Sequence, residues 1–371
     1  MAPDLPPQYR ALVLDSIGAG FTVKTLPTPQ PTFGSAVVQI VAAGALSYHR
    51  EIYNGQRHYP LPTPMVGGYS AIGRIAALGP DATALQAGQL VFVDCVIRGR
   101  DDPSALYLLG ISEGHSDGSK KLAREVWHDG TLAEFVKVPL DNCIPLDEAR
   151  LCQTLGYSIE DLMYMGYLLV PYGGLRDIRV EPGDTVVVCP ATGGFGGAGV
   201  LVAVAMGARV IAMGRNEQEL ERLQEHVHKG TPWACVETVK ITGDEAIDTA
   251  SLKAYGPVDA ILDFTPPVAA KSTHLKSAVA ALRYEGRVSL MGFVDFSVSD
   301  MKIVGSNITL KGKLMYSRED MLQFVKMLEM GLLPKGKDLV DTRTFRLDEW
   351  EEAFDAAAQW TGVGRAVAFL P

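Results

Sequence analysis

Short apolar segments, each bounded by turn residues, recur through residues 10–138 and predict β-strands. Proline and glycine clusters such as Pro27-Thr28-Pro29 and Gly79-Pro80 separate them. The predicted strands span residues 10–15, 21–25, 37–41, 72–78, 90–96 and 133–138. This part of the chain is therefore predicted to be a β-rich domain.

From residue 182 onward, apolar strands alternate with helical segments. Asn216 and Glu219 have the spacing of a capping box, which marks a helix start after the second of these strands. The alternation predicts a parallel sheet with right-handed crossovers, and hence an α/β fold. We predict strands at residues 186–189, 209–213, 258–264, 287–293 and 308–314, helices at residues 196–206, 271–283, 318–330 and 348–360, and a strand-like stretch at 342–345.

Length and composition narrow the class of protein. The 371 residues suit two domains, and 47% apolar against 21% charged residues indicates a globular chain. The net charge is −9 and no basic block stands out, which argues against a nucleic acid or an anionic membrane as partner. Five scattered cysteines without a CxxC pair, and an N-terminus without an apolar signal segment, predict a reducing, cytoplasmic location.

A glycine-rich loop follows the first strand of the α/β region and reads Ala191-Thr192-Gly193-Gly194-Phe195-Gly196. Two registers fit a dinucleotide-binding motif: one ends at Gly199, and the other is Ala191-x-Gly193-x-x-Gly196. The second leaves about three turns of helix before Gly207, whereas the first leaves a short helix. We therefore predict that residues 191–196 bind a cofactor pyrophosphate at the helix N-terminus.

The end of the second strand bears on the choice of cofactor. An acidic residue that binds the ribose 2′-hydroxyl of NAD(H) belongs at or near residue 214, but the sequence reads Gly214-Arg215-Asn216. A glycine beside an arginine suits a 2′-phosphate. The alternative is that Arg215 is only a solvated residue of the helix's first turn. We predict NADP(H), bound with the help of Gly214, Arg215 and Asn216.

Several stretches resemble the medium-chain dehydrogenase/reductase superfamily, over nearly the whole chain. They include the glycine loop, Val41-Ala42-Ala43-Gly44, Gly73-Arg74-Ile75-Ala76-Ala77-Leu78-Gly79, Asp129-Gly130-Thr131-Leu132-Ala133-Glu134-Phe135, Gly286-Arg287-Val288-Ser289-Leu290-Met291-Gly292 and Gly364-Arg365-Ala366-Val367. The resemblance implies a GroES-like, β-rich catalytic domain made of residues 1–150 and 318–371. Residues 151–317 would form a Rossmann domain, a doubly wound parallel sheet that binds NADP(H).

The departures from the family pattern concern zinc. Zinc-dependent members carry a cysteine where this chain has Leu46, and Gly-His-Glu where it has Gly67-Gly68-Tyr69. The third ligand position falls near Asp161, and one carboxylate cannot hold Zn²⁺ alone. The resemblance therefore implies a zinc-independent reductase without metal ligands. Such an enzyme suits hydride transfer to an activated small molecule, such as one with a C=C bond conjugated to a carbonyl.

Other functions stay open on the sequence. A zinc-free carbonyl or imine reductase is the alternative enzyme, and a non-catalytic protein docked on a synthase partner is the alternative of another class. The strand at residues 308–314 is expected at the edge of the Rossmann sheet. By likeness to relatives it would pair with a second copy in a homodimer.

Polar residues in and around the family's active-site segments are the catalytic candidates. Tyr48 aligns with the hydroxyl that relays protons in zinc-dependent members, or is an ordinary half-buried tyrosine. His49 is expected to titrate near neutrality if it is catalytic, and is otherwise structural. Asp161 is a leftover ligand position or a helix cap. By family likeness, Thr265 and Phe293 follow strand ends and lie near the nicotinamide.

Overall fold

In the computed structural model, the strands and helices of the chain group into two compact units. The structure describes residues 5–295, 297 and 299–371. Unit 1 comprises Met1–Gly166, Asp341–Thr361 and Ala366–Pro371. Unit 2 comprises Tyr167–Val340 and Gly362–Arg365. None of the helices in the described ranges is long and apolar enough to cross a membrane.

Unit 1 is rich in short strands, as predicted. Its first ten are β1 (Gln8–Leu14), β2 (Phe21–Pro27), β3 (Ser35–Ala45), β4 (Met65–Val66), β5 (Ala71–Leu78), β6 (Leu90–Val93), β7 (Val96–Arg98), β8 (Leu106–Leu108), β9 (Phe135–Pro139) and β10 (Cys143–Pro145). The helices are α1 (His49–Tyr53), α2 (Asp117–Lys121) and α3 (Ile159–Met163), with π-helical turns at Leu122–Val126 and Ala149–Leu155 and a 3-10 turn at Leu140–Asn142.

The next elements alternate between helix and strand. They are α4 (Met165–Asp177), β11 (Thr185–Cys189), α5 (Gly194–Ala205), β12 (Arg209–Gly214), α6 (Glu217–Gly230), β13 (Val236–Lys240), α7 (Glu245–Lys253), β14 (Val258–Asp263), α8 (His274–Ala281), β15 (Leu282–Leu290), α9 (Asp300–Gly305), β16 (Thr309–Gly312) and α10 (Arg318–Glu329). The chain ends with β17 (Asp341–Phe345), α11 (Trp350–Gln359) and β18 (Arg365–Phe369), and 3-10 turns lie at Pro267–Ala269, Gly336–Asp338 and Leu347–Glu349.

The strands of unit 2 form one wholly parallel sheet in the order β13-β12-β11-β14-β15-β16. This order is that of a doubly wound Rossmann sheet, and it brings the carboxyl ends of β11 and β14 side by side at the point where the order reverses. The prediction of an α/β fold with a Rossmann sheet is confirmed. Unit 1 holds a three-stranded sheet, β2-β1-β4, and a larger one in the order β10-β6-β5-β3-β18-β17, with β9 also paired to β3.

The elements that the sequence analysis did not predict include α4, β13, α7 and α9. Only Val236 and Val239 are buried in β13, and α7 is a short helix preceded by its N-cap Asp244. The prediction for β15 was also displaced: the strand begins at Leu282 and ends at Leu290, so that Phe293 lies beyond it. Residues 283–285, near the start of β15, are exposed. The apolar pattern therefore does not mark where this strand begins.

Helix α10 was expected in the first domain, and the structure groups it with unit 2. Its Phe324 ring packs against Tyr172 of α4, with 5.2 Å between ring centroids. Arg176 of α4 pairs with Asp320 at 3.2 Å. Residues 151–166 lie in unit 1 instead of the Rossmann domain. These side-chain contacts link segments that are far apart in the sequence. They group α10 with unit 2, which the pattern along the chain does not predict.

Candidate functional site

The glycine loop joins β11 to α5 at the carboxyl end of the parallel sheet. A Cβ at Gly196 would overlap the carbonyl oxygen of Pro190 and lie 2.9 Å from Cα of Ala191, so only glycine lets the helix pack this closely. Gly193 is the N-cap of α5; a Cβ there would meet nothing within 4 Å, and no side chain caps the helix. The close packing at Gly196 fits the register Ala191-x-Gly193-x-x-Gly196. An uncapped helix N-terminus beside open space fits a cofactor pyrophosphate.

Position 214 faces the glycine loop. A Cβ built on Gly214 would lie 2.8 Å from Cγ2 of Thr192 and 3.1 Å from a methyl of Leu220. An aspartate at 214 would therefore require the side chains of Thr192 and Leu220 to shift. Arg215, the next residue, is exposed, whereas Asn216 caps α6 by accepting a hydrogen bond from the N–H of Glu219 at 3.3 Å. Arg215 is thus the basic side chain that this strand end offers to a phosphate.

Aromatic rings pack around the first turn of α5. The Phe195 ring lies 5.0 Å from the ring of Tyr167 and 6.2 Å from that of Phe264, centroid to centroid. Tyr167 also packs on Gly194, where a Cβ would lie 2.8 Å from the ring. Phe195 therefore has a packing role in the loop, in addition to any contact with a cofactor.

Asp263, Thr265 and His274 form a buried chain of hydrogen bonds at the carboxyl end of β14. Oγ1 of Thr265 donates to Oδ1 of Asp263 at 2.5 Å, and Nε2 of His274 lies 2.9 Å from the same hydroxyl oxygen. On the other side of the ring, Nδ1 of His274 lies 2.7 Å from Oγ of Ser272. Because the single hydroxyl proton of Thr265 goes to Asp263, Nε2 of His274 must be the donor to Thr265.

This chain of hydrogen bonds is tied to the segment that carries Phe293. The N–H of Met291 donates to the carbonyl of Asp263 at 3.0 Å, and the N–H of Phe293 donates to the carbonyl of Thr265 at 2.8 Å. A Cβ at Gly292 would overlap the backbone nitrogen of Thr265. The Phe293 ring itself is 63% exposed. The structure thus brings Thr265 and Phe293 together, and leaves the Phe293 ring free of the core.

A cluster of possible metal ligands overlaps this chain. Cys189, Asp263 and His274 are all buried and offer one ligand atom each, within 4.8 Å of one another. Burial, with the Asp263 carboxylate nearby, raises the pKa of the Cys189 thiol well above its usual value. Zinc would need the thiolate and would displace hydrogen bonds that Asp263 and His274 already make. The three side chains offer ligand atoms for a metal ion, but the carboxylate oxygens of Asp263 and the ring nitrogens of His274 already have hydrogen-bond partners without one.

In unit 1, Tyr48 stands at the start of α1 and is half-buried. Its side chain does not cap the helix. The Arg57 guanidinium lies over its ring, 4.4 Å from the centroid, and Arg57 is held in turn by Glu51 through an ion pair of 2.7 Å. This stacked cation restricts the orientation of the phenol, and nothing in the sequence pattern had indicated it.

His49 is fully buried next to Tyr48. Its Nδ1 accepts a hydrogen bond from the N–H of Leu46 at 3.3 Å, and the rings of Tyr53 and Tyr69 lie 5.3 and 5.2 Å away. Burial lowers the pKa of His49 to about 3, because the aromatic surroundings cannot solvate a cation. Of the two interpretations of His49, this burial supports the structural one, because it disfavours the protonated form of the ring near neutrality.

Leu46 and Gly68 stand at the positions of the family's first two zinc ligands, and Tyr69 follows the second of them. Leu46 and Tyr69 are buried. A Cβ at Gly44 would lie 2.9 Å from the Tyr69 hydroxyl, and one at Gly166 would lie 2.6 Å from it. Two glycines therefore leave the space that this hydroxyl occupies. The tyrosine next to the second ligand position is therefore packed closely into its surroundings.

Asp161 takes part in the start of α3. Its carboxylate accepts a hydrogen bond from the N–H of Ser158 at 2.9 Å, and its own N–H donates to Oγ of Ser158 at 3.1 Å. This reciprocal pair is a capping box. Of the two interpretations of Asp161, the hydrogen bonds support the helix cap.

The predicted residues fall into groups within each unit. In unit 2, the glycine loop and Gly214 are in contact through Thr192, while Thr265 is bonded to Phe293. In unit 1, the rings of Tyr48 and His49 are neighbours, 6.3 Å apart. Sequence reasoning missed Arg57, Asp263 and His274. The spacing of Asp263 and Thr265 at a strand end was a usable signal, but that of His274 was not.

Two consecutive family models match the chain: the alcohol dehydrogenase GroES-like domain over residues 33–148, and the zinc-binding dehydrogenase model over residues 194–330. Alcohol dehydrogenase 1 of Caenorhabditis elegans is 24% identical and aligns over 92% of this chain and 92% of its own length. Acryloyl-coenzyme A reductase of Metallosphaera sedula is 27% identical over 57% of this chain and 60% of its own length.

A solved alcohol dehydrogenase from E. coli CFT073, in complex with NADH, has the same fold. Its TM-score is 0.77 at 20% sequence identity, over 99% of this chain and 100% of that one. The first family model lies within the β-rich unit and confirms its GroES-like character, and the second covers most of the parallel sheet. The chain is therefore an oxidoreductase that belongs to the medium-chain dehydrogenase/reductase superfamily.

Proposed function

We propose that this chain is an NADPH-dependent reductase that transfers hydride to an activated organic acceptor without zinc. The preferred acceptor has a C=C bond conjugated to a carbonyl. The observation that carries the proposal is the state of the ligand positions in unit 1: Leu46 is buried, and a Cβ at Gly68 would lie 2.6 Å from the backbone nitrogen of Leu132, which leaves no room for a ligand side chain. Without a Lewis acid there, an acceptor that is already polarised by conjugation is the easier substrate.

The nucleotide site supports the choice of NADPH. The packing of Gly214 against Thr192 disfavours the carboxylate that would bind a ribose 2′-hydroxyl, and Arg215 is exposed beside it. The α5 N-terminus, with Gly193 as its N-cap, would bind the pyrophosphate. Thr265 and Phe293 would lie at the nicotinamide end.

The chain's own residues would then stabilise the negative charge of the enolate and supply its proton. Bound NADPH would supply the hydride to the β-carbon of the acceptor. The electron pair of the C=C bond would move towards the carbonyl oxygen, where Tyr48 would donate a hydrogen bond or a proton to the enolate. His49 would remain neutral, and Asp161 would serve the start of α3. Arg57 would hold the Tyr48 ring in one orientation.

A carbonyl or imine reductase is the second candidate. Relatives named alcohol dehydrogenases, such as the Caenorhabditis elegans protein, align over nearly the whole chain. The acryloyl-coenzyme A reductase aligns over a smaller part. In this second function Tyr48 would protonate the alkoxide or amine product directly.

The deciding experiment follows NADPH oxidation with a panel of enones, quinones, ketones and imines, and determines the product structures. Reduction of the C=C bond with the carbonyl intact supports the proposal. Turnover of ketones or imines alone would establish the second candidate. A chain that turns over no acceptor would favour the non-catalytic alternative, such as a protein docked on a synthase partner.

A further inference from the structure

We propose that His274 is a positioning residue for the nicotinamide end of the cofactor, and that it acts through Thr265 and Asp263. The inference rests on the proposed function, because that function puts Thr265 and Phe293 at the nicotinamide. It goes further in assigning a role to a buried histidine outside the glycine loop.

The first step concerns the cost of burying these groups. The side chains of Asp263 and His274 are at most 1% exposed, and buried polar groups are unfavourable unless hydrogen bonds satisfy them. The partners come from two parts of the chain: Asp263 ends β14, whereas Ser272 lies just before α8, which begins at His274. The ring of His274 therefore joins the end of β14 to the start of α8.

The second step follows the donors. Ser272 is placed to donate to Nδ1 of His274, Nε2 donates to Oγ1 of Thr265, and Thr265 donates to Asp263. Nε2 also lies 3.4 Å from Oδ1 of Asp263. The direction of each bond depends on the one before it, so the Thr265 side chain has one orientation as long as His274 keeps its Nε2 proton.

The third step leads to the backbone. Thr265 accepts the hydrogen bond of the Phe293 N–H, and its backbone nitrogen sits so close to Gly292 that no side chain fits between them. The Asp263 carbonyl binds the N–H of Met291 in the same way. Because these contacts join backbone atoms, a displacement of the strand end that carries Asp263 and Thr265 would also displace residues 291–293. His274 is thus coupled to both strand-end segments that the proposal puts at the nicotinamide.

A purely structural role and a positioning role predict different results. If the network only stabilises the fold, its loss lowers stability and affects all ligands of unit 2 alike. If it positions the nicotinamide end, its loss weakens NADPH binding and leaves the adenine half unaffected. A comparison of NADPH with 2′,5′-ADP, which lacks the nicotinamide, separates the two roles.

The experiment measures both affinities by calorimetry on the full chain. His274→Leu removes the Nε2 donor, and His274→Gln restores an N–H donor at nearly the same reach. His228→Gln is the matched control, since His228 lies on α6 and, among the described residues, its ring forms a hydrogen bond only with the Ala234 carbonyl, at 3.1 Å. We expect NADPH to bind about tenfold more weakly to His274→Leu, the effect of one lost hydrogen bond. The affinity for 2′,5′-ADP should stay within about twofold, and His274→Gln should recover most of the loss.

A second readout tests orientation directly. With NADPH deuterated on one face of C4, the wild-type chain should transfer label from a single face, whereas His274→Leu should transfer from both. If His274→Leu does not fold, Thr265→Val and Ser272→Ala interrupt the same chain of hydrogen bonds and are compared in the same way.

Equal weakening of NADPH and 2′,5′-ADP would overturn the inference, as would unchanged NADPH binding in the folded variants. A wild-type chain that binds NADPH no more tightly than 2′,5′-ADP would also overturn it. The proposed function fails separately: a chain that shows the split in affinity but reduces no conjugated acceptor keeps the positioning role and loses the assigned reaction.

Discussion

The backbone N–H of Leu46 donates a hydrogen bond to Nδ1 of His49 at 3.3 Å, and this contact determines the tautomer of a fully buried ring. The proton is consequently on Nε2, which has no hydrogen-bond partner among the described residues. Both residues lie in the segment that carries the first zinc ligand in zinc-dependent relatives. Here the segment holds a leucine and a neutral imidazole among aromatic rings.

The buried His49 makes stability depend on pH. Unfolded, this histidine takes up a proton below its ordinary pKa of 6.5, but in the folded chain it does not do so until about pH 3. Stability is therefore lost as pH falls from 6.5 towards 3, with a slope approaching about 1.4 kcal/mol per pH unit. Urea unfolding midpoints between about pH 4.5 and 7 should fall less steeply in His49→Phe than in the wild type. The exposed His58→Phe should keep the wild-type slope, and an equal slope in His49→Phe would contradict the assignment.

Arg215 should determine the preference for NADPH. Arg215→Ala is expected to weaken NADPH binding by ~1.5–3 kcal/mol, the range for a hydrogen bond to a charged group, with little effect on NADH. Affinities for both cofactors are measured by fluorescence titration. Arg209→Ala, an exposed arginine at the other end of β12, is the control and should change neither affinity. Equal losses for NADPH and NADH in Arg215→Ala would refute the role.

Tyr48 should act in the chemical step. Tyr48→Phe keeps the ring under Arg57 and removes only the hydroxyl, so we expect kcat to fall at least ~10-fold with NADPH affinity unchanged. Tyr284→Phe, at a tyrosine that is 63% exposed, controls for the loss of a phenol elsewhere. Steady-state kinetics with the best acceptor make the comparison. Full activity in Tyr48→Phe would mean that another group or water protonates the product.

Zinc should be absent from the family's catalytic position. Elemental analysis of the purified protein is expected to find no stoichiometric zinc, because Leu46 and Gly68 stand at ligand positions. Any zinc that is found can be located with Cys189→Ser, which removes a ligand of the buried cluster in unit 2. Cys143→Ser, at another buried cysteine, is the control. About one zinc per chain that persists in Cys189→Ser would contradict the zinc-free proposal.

Strand β16 lies at the edge of the six-stranded sheet, and a homodimer through this edge is our proposal for the quaternary structure. Lys313 donates its N–H to Leu290 on β15, so the N–H of the preceding Gly312 points away from β15. Gly312→Pro removes that outward donor, at a position where a Cβ meets nothing within 4 Å. Light scattering should give twice the 39.9 kDa chain mass for the wild type and the single mass for Gly312→Pro. A wild-type monomer at micromolar concentration would contradict the dimer.

The sequence pattern was sufficient wherever structure depends on neighbours along the chain. The apolar run of β11 and the glycine loop after it located the nucleotide-binding strand, turn and helix within two residues. The cap at Asn216 was also correct, because a capping side chain bonds to a backbone N–H three residues away. Strand β13 was missed because its charged positions weaken the apolar signal.

Only the tertiary structure decided how residues distant in the sequence act on one another. His49 is neutral because rings from other segments surround it, and no local pattern reveals the resulting loss of solvation. Tyr69 fits because Gly44 and Gly166 converge on its hydroxyl from two separate elements. The bond between His274 and Thr265 arises where α8 meets the end of β14. Contacts between residues that are distant in the sequence determine burial, side-chain pKa values and the direction of hydrogen bonds. Residues that are close in the sequence determine the hydrophobic periodicity and the helix caps.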